Sequence, residues 1–124
     1  MKKSVSILGT NYSIKKVKHG CDEYMERMKF GGYCDGVLKE IVILDVKTIP
    51  DPYWTNASAE FIERVERETL RHEVVHAFLN ESGLKHNAVA NEEAWAKNEE
   101  MVDWIAIQFP KILEVFKKLG CVEG

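Results

Sequence analysis

The hydrophobic period of this chain changes once, near Asn56, and that change decides which architectures are open to it. Before it, apolar residues alternate as in strands: Val5 and Ile7, then Tyr12, Ile14 and Val17, with Gly9-Thr10-Asn11 between them as a turn, so a hairpin is expected. Phe30 to Cys34, which holds Gly31-Gly32, and Lys39 to Asp45, rich in β-branched residues, read as two further strands joined by Asp35-Gly36. Cys21 to Lys29 reads equally as a helical turn or a loop, and Pro50-Asp51-Pro52-Tyr53 closes the sheet region as an extended connection.

After Asn56 the period is helical. Ser58 is a candidate N-cap, and Phe61, Ile62, Val65, Thr69, His72, His76 and Leu79 form one stripe of a long helix that ends near Gly83. Ala94, Trp95, Val102, Ile105, Ala106 and Phe109 define a second helix, broken at Pro110. Ile112, Leu113, Phe116 and Leu119 define a third, stopped at Gly120. Strands first and helices afterwards are the order of an α+β domain, not of a doubly wound sheet.

A chain of 124 residues, 45% hydrophobic and 30% charged, suits one domain over residues 1–124. A net charge of -3 and a pI near 5.8 give no basic field, so neither direct nucleic-acid binding nor a membrane surface is expected. Cys21, Cys34 and Cys121 are odd in number and lack C-x-x-C spacing, which argues against a disulfide framework and for a reducing, cytoplasmic compartment. The stretch Met1 to Gly9 is too short and mixed for a signal-peptide core, and no run approaches the roughly 20 apolar residues of a membrane span.

His72-Glu73-Val74-Val75-His76 is an H-E-x-x-H pattern. In a helix of 3.6 residues per turn, residues i and i+4 sit one above the other, so both imidazoles can converge on one Zn²⁺. Glu73, rotated by about 100° from His72, then flanks the open coordination position as a general base. Two histidines can fall at this spacing by chance, but here both lie on the apolar stripe, and inward-facing histidines need partners that a metal supplies.

A catalytic zinc site takes a third protein ligand. The candidates beyond the helix are His86, Glu92, Glu93, Glu99, Glu100 and Asp103. The glycine and third histidine of a metzincin are replaced by Leu79 and Ser82, and His86 lies in a polar connection where a solvated loop residue is the ordinary reading. Asn98-Glu99-Glu100-Met101-Val102-Asp103 resembles the Asn-Glu-x-x-x-Asp signature of thermolysin-like gluzincins, which favours Glu99 over its rival Glu100 as ligand and Asp103 as the carboxylate that orients a histidine ring.

Taken together, Arg71 to Leu79 and Asn98 to Pro110 resemble the small metallopeptidases encoded by phages and prophages, related to the ImmA/IrrE-like zincins; Gly32-Tyr33-Cys34-Asp35 and Ile41 to Leu44 resemble the strand that precedes their active-site helix. The resemblance implies a minimal zincin fold with a small twisted sheet, an edge strand bordering the cleft, and cleavage of a protein substrate such as a repressor in the cytoplasm of a bacterial host. A peptide could then join the sheet edge near Tyr33 to Gly36. Tyr33 or Tyr53 is a candidate oxyanion donor, and Cys34 either a small buried thiol or a thiolate closing the open metal position. A zincin-shaped interaction protein with a structural metal, and a metallohydrolase acting on something other than a peptide, are the competing expectations.

Overall fold

The computed structural model describes residues 2–84 and 94–123. It is an α+β arrangement in which a four-stranded sheet forms first and helices follow. Strand β1 (Lys2–Ile7) turns into β2 (Thr10–Lys18); helix α1 (Glu23–Met28) leads to β3 (Gly32–Asp35) and β4 (Glu40–Asp45). A short helix α2 (Pro52–Thr55), the long α3 (Ala59–Glu81) and α4 (Glu99–Leu119) follow among the described residues.

The strand order is β1-β2-β4-β3, with β2 parallel to β4 and the outer pairs antiparallel. β3 is thus an edge strand. Alternation places Tyr12, Ile14, Ile41 and Ile43 on the sheet face that α3 covers with Ala77, Leu70 and Val74, and this is the core. Tyr33 pairs with Val42 on the other face, where its ring meets Tyr24 of α1 at 5.0 Å and its hydroxyl donates to Asp22 at 2.8 Å.

Local chemistry explains the elements. The β1-β2 loop is Leu8-Gly9, one position earlier than expected, because a two-residue hairpin loop needs left-handed backbone at both central residues; Leu8 has φ 50° and Gly9 φ 88°. Asp22 caps α1 by accepting from the Met25 amide, so the segment Cys21 to Lys29 holds a true helix. Asp35 accepts from the amides of Val37 and Leu38 at 2.9 Å each and so makes the β3-β4 turn. Pro52 stands at the first position of a helical turn capped by Asp51 rather than in an extended connection, since a proline there gives up an amide that has no helical partner anyway. Ser58 caps α3 as its spacing predicts, donated to by the Phe61 amide.

The helix break expected at Pro110 does not occur. Trp95–Lys97 is a single 3₁₀ turn, and one helix then runs through Pro110 to Leu119. Proline removes the amide that would bond the carbonyl four residues earlier, that of Ala106. Here Arg71 of α3 supplies the missing donor, its Nε standing 2.6 Å from that oxygen.

The far end of α3 is tied down as well. Glu81 accepts from Lys39 Nζ at 2.6 Å, Tyr12 Oη at 2.7 Å and Thr10 Oγ1 at 2.9 Å, joining the helix to the hairpin and to the β3-β4 turn. These donors hold its carboxyl at about 2, with the Lys39 ammonium the largest influence. Among the described residues no helix is long and apolar enough to cross a membrane.

Candidate metal centre

The long helix α3 presents its buried row, Ile62, Glu73, Ala77 and Leu79, between the sheet and α4, and this leaves His72 and His76 half-buried at the rim. The row is rotated from the expected stripe: Phe61 is exposed beside Tyr53 and Trp54, while Glu73 is turned inward.

His72, Glu73 and His76 offer ligand atoms that all lie within 4.8 Å of one another, a group that could hold a metal ion. The two Nε2 atoms face each other at 3.1 Å. From the first turn of α4, capped by Asn98, Glu99 reaches His76 Nε2 at 2.8 Å and His72 Nε2 at 3.4 Å. Asp103, one turn on, stands 2.6 Å from His72 Nδ1. That contact requires a proton on Nδ1, so a neutral His72 points a bare lone pair at the space it shares with His76 and Glu99.

The donor set fits a metal such as zinc. Ligand atoms around a tetrahedral ion at about 2.0–2.1 Å stand about 3.3 Å apart. The two Nε2 atoms at 3.1 Å, with one Glu99 oxygen 2.8 Å from His76 Nε2 and the other 3.4 Å from His72 Nε2, stand near that value, and two imidazoles with one carboxylate leave a position open.

Glu73 is only 5% exposed. Burial pushes its carboxyl up to about 7, opposed by His72 and reinforced by the nearby Glu99 and Asp103 carboxylates.

Two hollows flank the group. A cleft of about 440 Å³ is lined by Tyr24, Phe30, Tyr33, Asn80 and Lys97 on one side of the histidines. A smaller one of about 280 Å³, lined by Gly31, Glu68, Thr69 and Asp103, lies on the other, and both share Phe30, Gly32, His72, Glu73 and Glu99. The result is a trough alongside the β3 edge with the ligand atoms midway. Gly32 permits the close approach: a Cβ there would stand 3.0 Å from Thr69 Cγ2 and 3.1 Å from the Val42 oxygen, and 3.5 Å from Glu73 Cγ.

Of the remaining candidates, Glu100 is not brought to the histidines; it lines a surface groove with Met101 and Trp104. His86, Glu92 and Glu93 lie outside the described residues. Tyr33 lines the cleft, but its hydroxyl donates to Asp22, which with burial holds the phenol well above its usual range. Tyr53 packs on Trp54 at 4.9 Å and lines neither hollow. Cys34 lies on the cleft wall, half-buried against the core, its sulfur 3.6 Å from Asn80 Nδ2. Sequence patterns passed over Gly32, Lys97 and the Tyr24-Phe30 pair as cleft residues, since their importance comes only from where the edge strand and the 3₁₀ turn end up.

Comparison with known proteins finds no match: no family model fits the chain, and no curated protein or solved structure resembles it significantly.

Proposed function

We propose that this chain is a zinc-dependent metallopeptidase of the H-E-x-x-H type, related to the ImmA/IrrE-like zincins, that cleaves an extended segment of a phage or host regulatory protein. The observation that carries the reading is the convergence of His72 Nε2, His76 Nε2 and the Glu99 carboxylate, with Asp103 on the far nitrogen of His72 and buried Glu73 alongside. In it, His72, His76 and Glu99 hold the ion and Asp103 fixes the tautomer of His72. Bound there, a zinc ion would supply Lewis acidity towards water and a substrate carbonyl.

Glu73 is the general base. Burial raises its proton affinity, so its carboxylate takes a proton from attacking water more readily than an exposed glutamate would, and the carboxyl so formed is the donor from which the departing amine takes that proton. The substrate lies along β3, whose outer backbone row is not used within the sheet, and is read mainly through main-chain hydrogen bonds.

The test is elemental analysis of protein purified without a histidine tag, followed by digestion of candidate regulatory proteins. About one zinc per chain is expected, lost in His76→Ala and weakened in Glu99→Gln, with Glu73→Gln retaining metal but not cleavage. A folded wild type that takes up no zinc overturns the reading.

A further inference from the structure

The outer face of α4 carries a continuous patch of exposed apolar side chains. Trp104, Val115 and Leu119 are 58%, 53% and 72% exposed, and Phe109 and Phe116 are exposed beside them. At about 100° per residue these five fall within an arc of about 140°. The arc is continuous only because α4 runs unbroken through Pro110, which aligns the residues on both sides of the proline.

Aromatic side chains present about 150–250 Å² each, so the exposed parts of these five leave on the order of 500 Å² per copy. That is near the upper limit for a patch on a monomer, a few hundred Å². Two such faces together remove about 1,000 Å² from water, the scale at which specific association begins.

We infer that this face pairs with the same face of a second copy, the two α4 helices running antiparallel about a two-fold axis near Phe109. Three features favour this occupant. Along one border of the arc Glu100 stands at the N-terminal end and Lys118 at the C-terminal end, and an antiparallel pair brings Glu100 of each copy level with Lys118 of the other. The N-terminal half also carries a groove of about 520 Å³ lined by Met101, Trp104, Ile107 and Gln108, opposite which the second copy's Val115 and Leu119 would fall. Among the described residues Lys118 pairs with Glu114, at 3.7 Å between two exposed side chains, a contact cheaply exchanged. Glu99 and Asp103 project from the opposite side of α4, so pairing leaves the trough open.

Sedimentation equilibrium of the full chain tests this. A species of about twice 14.2 kDa is expected at micromolar concentration. Trp104→Glu, at an exposed position that leaves the fold intact by circular dichroism, raises the dissociation constant at least about 100-fold. Glu100→Lys weakens the dimer several-fold, and adding Lys118→Glu restores it. A monomeric wild type at 100 µM overturns the inference, as does a dimer indifferent to Trp104→Glu. A charge swap that fails to rescue overturns the antiparallel pairing. None of these outcomes depends on metal or cleavage, so this inference and the peptidase reading fail separately.

Discussion

Arg71 Nε donates a 2.6 Å hydrogen bond to the carbonyl oxygen of Ala106, the acceptor that Pro110 deprives of its helical partner. Arg71→Met keeps the apolar stem and removes the donor, leaving that carbonyl without either bond. We expect a loss of about 1.5–3 kcal/mol in urea unfolding, the range for a hydrogen bond from a charged group. In a Pro110→Ala background the amide returns, and the penalty for Arg71→Met should shrink by about 1 kcal/mol or more. An undiminished penalty would show that Arg71 acts elsewhere.

Asp103→Asn leaves His72 its bulk but weakens the hold on Nδ1. Metal affinity, measured by competition with a chromophoric chelator, should fall about 10–100-fold. Glu100→Gln, in the neighbouring groove with Met101 and Trp104 and out of contact with the histidines, should leave it unchanged.

The metal-free protein should lose stability between about pH 4.5 and 7 on account of Glu73. Its carboxyl is raised from 4.5 to about 7 in the fold, so the folded chain keeps a proton that the unfolded chain releases. That contribution is complete below 4.5 and is lost as pH rises to about 7. Glu73→Gln removes the slope and makes the metal-free protein more stable above pH 7, by up to about 3 kcal/mol. Chemical denaturation with chelator at pH 5 and pH 8 separates the two forms.

Glu81 gives the opposite sign. Its carboxyl is depressed to about 2 by Lys39, Tyr12 and Thr10, so its contribution is present above about 4.5 and is lost as pH falls towards 2. An acid-denaturation midpoint that shifts in Glu81→Gln, with the hairpin amides exchanging faster, is the expected result. Unchanged acid unfolding would remove Glu81 as the anchor of α3.

Gly32→Ala places a methyl group 3.0 Å from Thr69 Cγ2 and 3.1 Å from the Val42 oxygen. The Val42 oxygen is backbone of β4 and cannot yield as a flexible side chain can, so β3 must shift from both β4 and α3 at a cost of about 1–3 kcal/mol. Pairing this change with Thr69→Ser, which removes the nearer methyl, should recover part of the loss.

What could be read in advance was whatever is encoded locally. Ser58 and Gly83 bracket α3 because capping and left-handed backbone depend on adjacent residues alone. His72 and His76 could be paired because they span one helical turn, whereas Glu99 and Asp103 were singled out only through the resemblance of Asn98 to Asp103 to a known signature. The continuity of α4 was not, because the group that rescues the Ala106 carbonyl belongs to another helix. Nor was the rotation of α3 that buries Glu73 and exposes Phe61, since packing against sheet and helix at once decides which row turns inward. Pro52 looked like a breaker because prolines cluster there, whereas Asp51 makes its position a helix start.

Because β2 and β4 run parallel, no tight turn can bring them together, and the sheet closes only when the whole excursion through α1 and β3 has folded back. His72 and His76 face the same way as soon as α3 coils. Glu99 and Asp103 reach them only once α4 has settled against α3. The set of ligand atoms is therefore complete only when α3 and α4 are packed together, and capture of an ion by a refolding chain would time that docking step.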